Sequence, residues 1–331
     1  MNEDYKCPCR EIDPDHFLTN EEVCLLLSKE NHNFNQEDYY SVFNCIHCNA
    51  CGTSEERFLI KEKYLEDGNQ IEGLKEILIN FEKYKSPFIQ NKSRVKSIEG
   101  IPSKSSTLLY LGCFTSVKTP KYAENIIRYL LKEKINFCLL KEEICCGYPI
   151  LCTGKIKIYD KFVKENLELF LSKGFERVIT VCPSCYMVFK KHYNEHGIKV
   201  EYFTDYLKPA EPKKKGNLVI QHACPLKNGE IPGIAEDLKI LFIKSGYNVL
   251  DKVPRECCGF GVGHQLRVDI SEAIAMKRMN DFKEEGGYIK NLKGERNFIT
   301  SYCPDAFWVL KAYGRKQKIP FEVKDMCDLL M

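Results

Sequence analysis

From Thr107 to the end of the chain, short apolar runs alternate with longer amphipathic stretches. TLLYLGC, INFCLLKEEICC and RVITVC read as buried strands. AENIIRYLLKEK, KIYDKFVKENLELFLSKG and the stretch PSCYMVFKKHY read as helices. After the Lys/Pro-rich break EPKKKG (211–216) the order repeats, with NLVIQHAC, YNVLDKVPRECC and NFITSYC as strands. IAEDLKILFIKSG, ISEAIAMKRMNDFKEEGG and PDAFWVLKAYGRK are the matching helices. Alternation of strand and helix predicts a parallel sheet in each half. The first 85 residues differ. EEVCLLLSKE, SVFNCIHCNA, ERFLIKEKYLEDG and IEGLKEILINFEKY carry apolar residues at helical spacing, with a start signal at Asn20-Glu21-Glu22 and a stop at Asp67-Gly68-Asn69. The polar stretch 86–106 reads as a linker. The expected organisation is α+β: a small all-α domain over 1–85, the linker, and two α/β repeats over 107–210 and 217–331, each with a parallel sheet.

Composition narrows the chemistry. Charged residues make up 29% of the 331, the formal net charge is +3, and the two signs are interleaved, which leaves no nucleic-acid footprint. No apolar run approaches the ~20 residues that span a bilayer. The N-terminus MNEDYKCPCR has no apolar signal segment, so a cytoplasmic protein with no direct membrane insertion is expected. Against that ordinary background, 18 cysteines stand out. A reducing compartment leaves metal binding or redox catalysis as their use. Isolated Cys24, Cys138, Cys152 and Cys327 fit the role of small buried hydrophobes.

The remaining cysteines are grouped, and most of the groups are duplicated. Cys113 is followed after 31 residues by Cys145-Cys146-Gly147, then after 34 more by Cys182-Pro183-Ser184-Cys185. Cys224 is followed after 32 residues by Cys257-Cys258-Gly259, then after 43 more by Cys303-Pro304-Asp305-Ala306. In both halves the cysteines fall at the C-terminal ends of predicted strands, the edge where open α/β sheets collect ligands. Pro183 and Pro304 suit the first turn of a helix, whose free N–H groups favour an anionic, thiolate-ligated group. Five thiolates exceed the four that zinc accepts, and iron–sulfur clusters draw thiolates from several separate loops. Zinc remains the rival reading. Cys45-x-x-Cys48-x-x-Cys51 is the three-ligand spacing of ferredoxins, and a fourth ligand must come from elsewhere.

The spaced Cys, Cys-Cys-Gly and Cys-x-x-Cys pattern resembles the CCG-domain iron–sulfur family, which includes the B and D subunits of heterodisulfide reductase. The Cys45–Cys51 loop resembles half of the helical ferredoxin module found in the C subunit of that enzyme. The resemblance implies a non-cubane [4Fe–4S] cluster on Cys113, Cys145, Cys146, Cys182 and Cys185, acting on a disulfide or thiol substrate through those ligands. It implies a second site on Cys224, Cys257, Cys258 and Cys303. There Ala306 replaces the fifth thiol, so a cubane, a cluster completed by His222, His264 or Cys327, or an empty site are all open. It also implies a [4Fe–4S] cubane on Cys45, Cys48 and Cys51, completed by Cys7 of Cys7-Pro8, with Cys9 or Cys24 as alternatives. Gly147 and Gly259 would give clusters backbone room. Lys155 and Arg255 would meet an anionic substrate, and Tyr148 and Phe260 would shield clusters from water.

Functionally, the resemblance implies an electron-transfer oxidoreductase of the heterodisulfide-reductase type, fed by a redox protein or flavoprotein partner within an assembly of several subunits. An organism with little oxygen exposure is expected. The alternative is a non-catalytic electron relay within a larger complex, such as a flavin-linked 2-hydroxyacid dehydrogenase or a metalloenzyme activation complex.

Overall fold

The apolar positions of the first 85 residues fold as helices: α1 (Pro8–Ile12), α2 (Asn20–Ser28), α3 (Tyr39–Val42), α4 (Ser54–Glu66) and α5 (Leu74–Tyr84). The computed structural model describes residues 7–29, 33–49, 51, 54–89, 93–213, 215–250, 257–260, 266–289 and 296–331. Thr19 caps α2 in a reciprocal arrangement with Glu22, which satisfies two otherwise unpaired N–H groups. Val23, Phe43, Ile60 and Tyr64 form a small separate core. SVFNCIHCNA departs from the helical expectation: α3 ends at Val42, and Cys45 lies in an irregular loop. His47 and Asn49 there take left-handed backbone angles, which turn the loop sharply between its cysteines.

The first repeat runs β1 (Thr107–Tyr110), α6 (Cys113–Lys118), α7 (Pro120–Lys132), α8 (Tyr148–Leu151), α9 (Ile156–Ser172), β2 (Arg177–Thr180), α10 (Pro183–Tyr193) and β3 (Lys199–Tyr202). The second runs β4 (Gly216–Gln221), α11 (Ile234–Lys244), β5 (Tyr247–Val249), α12 (Val268–Ile289), β6 (Asn297–Ser301), α13 (Pro304–Gln317), β7 (Glu322–Val323) and α14 (Met326–Leu330). Both sheets are parallel, ordered β1-β2-β3 and β5-β4-β6-β7. β1 and β4 are buried along their whole length, as parallel strands covered on both faces must be. Each fully buried Leu or Ile there contributes about 1.5–3 kcal/mol.

The duplication extends to topology, with one reduction. INFCLLKEEICC is expected to form a strand, yet in the first repeat it makes only a single parallel bridge, Cys138 to Leu108. Leu109 N–H donates to Cys138 O and Cys138 N–H to Thr107 O, both at 3.0 Å. The bridge occupies the place that β5 holds beside β4, and the polar run after Leu140 keeps it from extending. β3 and β7 are additions that apolar runs did not announce: KVEY and EV are short and half polar. The two repeats share one continuous core, and Asn125 of α7 donates to Asp325 ahead of α14 at 2.6 Å.

The stretch 86–106 holds no helix or strand among its described residues, and it is tied to the first repeat. Arg94 N–H donates to Ser116 O at 2.9 Å, and Lys96 N–H to Glu124 at 3.1 Å.

Candidate metal centres

Every strand whose end carries a motif cysteine delivers it to the C-terminal edge of its sheet. β1 leads through Gly112 into Cys113, β2 into Cys182, β4 into Cys224 and β6 into Cys303. Cys182 and Cys303 are the N-cap residues of α10 and α13, with Pro183 and Pro304 in the first turn. Tyr202 couples these two ends: its hydroxyl donates to Tyr302 O and lies 3.2 Å from Val181 O, the residues just before Cys303 and Cys182.

In the first repeat the five thiols form a continuous chain. Cys113 Sγ lies 3.6 Å from Cys145 Sγ. Cys145 touches Cys146, Cys146 touches Cys185, and Cys185 touches Cys182. All but Cys113 are buried. The turn that carries the adjacent pair is braced from three sides. The Glu143 carboxylate accepts from Leu111 N–H and Gly112 N–H at 2.8 and 2.7 Å. Tyr110 Oη donates to Ile144 O at 2.6 Å, and the Asn166 amide donates to Cys145 O at 2.9 Å. Burial raises the Glu143 carboxyl to a pKa of about 7, even with both N–H donors favouring its charge. Gly147 turns the chain at φ 89°, where side chains are strained, and a Cβ there would meet the Tyr159 ring at 3.0 Å.

In the second repeat Cys224 touches Cys257, and Cys257 touches Cys258. Cys303 lies apart from that chain, with its Sγ 3.8 Å from the Asp305 carboxylate. Burial raises Asp305 to about 7. Ala306, at the position of Cys185, packs with Cys258, Val309 and Leu310 in an apolar cluster. Gly259 has φ 80°, and a Cβ there would lie 2.6 Å from both Ala275 N and Ser271 O of α12. Of the candidate substitute ligands, His222 is buried, lines this site and lies 3.3 Å from Tyr302 Oη. Cys327 lies in the core on α14 and lines neither thiol cavity, and His264 falls outside the described residues.

The N-terminal loop gathers a third group. Cys7 touches Cys9, and Cys9 lies close enough to Cys45 to feel its charge, as Cys45 feels that of Cys51. Cys24 is exposed on α2. The loop packs on the second repeat: Cys9 and Ile46 share an apolar cluster with Cys257, Ile270 and Ile274, and Cys7, Cys48 and Cys224 border it. Asn228 of the second repeat donates to Cys48 O at 3.1 Å.

Two cavities connect these groups. One of about 270 Å³ has Cys113, Cys146, Cys182 and Cys185 on its floor and Phe88, Phe114, Phe260 and Trp308 as walls. Its ring contacts run from 4.8 Å for Phe260–Trp308 to 5.7 Å for Phe114–Phe260 and 6.2 Å for Phe88–Phe114. Lys118, at the end of α6, is the one cationic side chain lining it among the described residues. Lys155 does not line it, because it starts α9 on the side facing Glu62, and Arg255 lies outside the described residues. The other cavity, about 60 Å³, lies between Cys48, Cys224, Cys257, Cys258 and Cys303. Ser184, Phe260 and Asp305 line both, and Tyr148 lines the smaller.

The chemistry of these donors fits iron–sulfur ligation. A ligand thiol must be deprotonated, and each group contains one thiol held below the ordinary range by its neighbours. Thiol–thiol hydrogen bonds hold Cys146 and Cys224 down and bring Cys7 to about 6, while they push their partners Cys145, Cys185, Cys257 and Cys9 up. Among the described residues, no three His, Cys, Asp or Glu side chains close around a single-ion site. A tetrahedral zinc takes four ligands and no more. The open chain of five thiols is instead suited to a group that accepts ligands at several corners.

Comparison with known proteins agrees. The family model for the cysteine-rich CCG domain matches residues 107–190 and again 218–306. An uncharacterised iron–sulfur protein of Methanococcus maripaludis is 24% identical over 315 residues, covering 85% of this chain and 60% of the relative. EtfAB:quinone oxidoreductase of Syntrophomonas wolfei is 28% identical over 218 residues, 60% of this chain and 30% of the relative. The D subunit of the dihydromethanophenazine:CoB–CoM heterodisulfide reductase of Methanosarcina mazei is 23% identical over 272 residues, 75% of this chain and 64% of the relative. The chain thus spans between about a third and two thirds of the length of these relatives. With two matched copies covering half its length, the chain belongs to the CCG cysteine-rich domain family.

Proposed function

We propose that this chain is an iron–sulfur electron-transfer oxidoreductase of the heterodisulfide-reductase type, whose first repeat carries the reacting end. The observation that carries this reading is the chain of five thiols, four of which line an aromatic-walled cavity. Cys113, Cys145, Cys146, Cys182 and Cys185 would hold one cluster, Cys224, Cys257, Cys258 and Cys303 a second, and Cys45, Cys48 and Cys51 with Cys7 a cubane. When bound, such clusters supply reversible one-electron steps at potentials set by their ligands, burial and hydrogen bonds.

The chain's own residues supply the rest. Glu143, Tyr110 and Asn166 hold the Cys145-Cys146 turn at the cavity floor. Phe88, Phe114, Phe260 and Trp308 exclude water from it, so a sulfur compound entering must leave its hydration behind. At about 270 Å³ the cavity is just under the usual range for ligand pockets, which suits a compact substrate end. Lys118 would attract an anionic group on a disulfide or thiol. The nearness of the N-terminal thiols to the second repeat, and of that repeat's cavity to the first, supports a route in which electrons arrive at the N-terminal loop and pass through the second repeat. The heterodisulfide reductase relative is itself one subunit of its enzyme, which supports an assembly of several subunits with a partner as donor. Among the described residues no helix is long and apolar enough to cross a membrane.

The separation of Cys303 and the presence of Ala306 favour a second reading, in which the chain only relays electrons for a larger complex. Anaerobic EPR of the purified holoprotein titrated with a small carboxylated disulfide tests between the two. A substrate-induced change in the cluster signal, lost in Cys146→Ser, is expected; an unaltered spectrum at saturating disulfide supports the relay.

A further inference from the structure

Helix α4 buries two cations, one turn apart, with no carboxylate in ion-pair reach of either among the described residues. Arg57 is 3% exposed and Lys61 1%. Lys61 Nζ lies 2.6 Å from His47 Nε2 and 3.1 Å from Cys152 O, and caps the Phe43 ring at 5.2 Å. Arg57 donates to Leu18 O at 2.7 Å and to Asn20 Oδ1 at 3.2 Å, and its Nε–H has no partner. Among the described residues, neither side chain is bonded to a carboxylate. Glu22 feels the field of Arg57, but its carboxylate is bound to the Thr19 cap.

A buried cation without an opposite charge costs several kcal/mol, and two on one helix face double the problem. Native folds solve it by pairing. The cysteine loop lies directly against them: Lys61 is bonded to His47, which stands between Cys45 and Cys48, and Arg57 is one turn away on the same helix. His47, within the Cys45–Cys51 loop, accepts from Lys61 and stacks on Phe58 at 4.4 Å, which ties the loop to α4.

We propose that Arg57 and Lys61 are the counter-charges of an anionic thiolate-ligated cluster held by Cys7 and the Cys45–Cys51 loop, and that they set its reduction potential. The inference rests on reading that loop as a cluster site. Reduction adds one negative charge beside two buried basic groups, so their positive charge makes reduction easier. Both are positioning residues: they act through the field and through the loop, without touching a substrate.

The test uses the anaerobically purified holoprotein. Iron is counted, and each cluster signal is titrated by EPR against a set potential. The N-terminal signal is the one lost in Cys48→Ser; iron content and all signals unchanged in that variant would overturn the reading of the loop itself. In Lys61→Met the equilibrium constant for reducing that signal is expected to fall about tenfold or more, a shift of about 59 mV to more negative potential for one electron. Lys61→Arg, which keeps the charge, is expected to recover most of it. Should Lys61→Met lose helix content, Arg57→Gln carries the same expectation. Loss of one cluster's iron with circular dichroism unchanged would equally support the counter-charge role. Retention of that iron at the wild-type potential in both variants would overturn it.

Discussion

The two repeats descend from one pattern and present it to different surroundings. In the first, five thiols touch in series beneath an aromatic cavity of about 270 Å³. In the second, three thiols touch, Cys303 lies against Asp305 instead, Ala306 fills the fifth position with core, and the N-terminal loop covers a cavity of only about 60 Å³. On the proposed reading, the same scaffold offers one thiol set to a small ligand and the other to a neighbouring thiol group.

The comparison breaks most sharply at the ligands. Cys146→Ser should abolish the disulfide response, by on the order of 100-fold or more, since outer-shell changes alone reach 10–100-fold in metal sites. Cys258→Ser should instead leave the response of a chemically reduced protein in place and block electron delivery from the N-terminal loop. Stopped-flow reduction with and without disulfide separates these outcomes, and identical losses in both variants would erase the distinction between the repeats.

The glycines come next. Both take positive φ, but a Cβ at Gly259 meets the α12 backbone at 2.6 Å, while at Gly147 it meets a movable ring at 3.0 Å. Gly259→Ala should cost about 3–4 kcal/mol and Gly147→Ala about 1–3, from left-handed strain plus overpacking. At about 1–2 °C per kcal/mol for a chain of 331 residues, thermal unfolding resolves the difference; equal shifts would mean that α12 moves freely. Ala306→Cys should cost under about 1.5 kcal/mol in its apolar cluster and confer no disulfide response on the second repeat. A new substrate-sensitive EPR signal would show that the missing thiol, rather than the covering loop, divides the repeats. The smallest effect is at Lys118. Lys118→Gln should weaken a carboxylated disulfide about fivefold to tenfold, near 1 kcal/mol, and leave a neutral one unchanged. Trp308 is the chain's single tryptophan and lines the cavity, so its fluorescence reports occupancy directly.

Much of this was legible because local patterns carry it. The Cys-Cys-Gly pairs, the Cys-Pro dipeptides and the alternation of strand and helix announced the two sheets and the edge where thiols collect. What stayed hidden depends on parts distant in sequence. KVEY and EV became strands only because β2 and β6 offered free edges. INFCLLK lost its strand to the polar residues that follow. Lys118, Phe88 and Trp308 meet from three separate segments, and no spacing links them. Nothing in the stretch ERFLIKEKYLEDG sets Arg57 and Lys61 apart from its other charges except their i, i+4 spacing on the face that also carries Ile60 and Tyr64.

Anaerobic purification followed by quantification of iron, acid-labile sulfide and zinc tests the central claim most directly. Three thiol groups read as one cubane and one or two further four-iron clusters predict about 8–12 irons per chain with a matching amount of sulfide. Stoichiometric zinc with almost no iron or sulfide would contradict it.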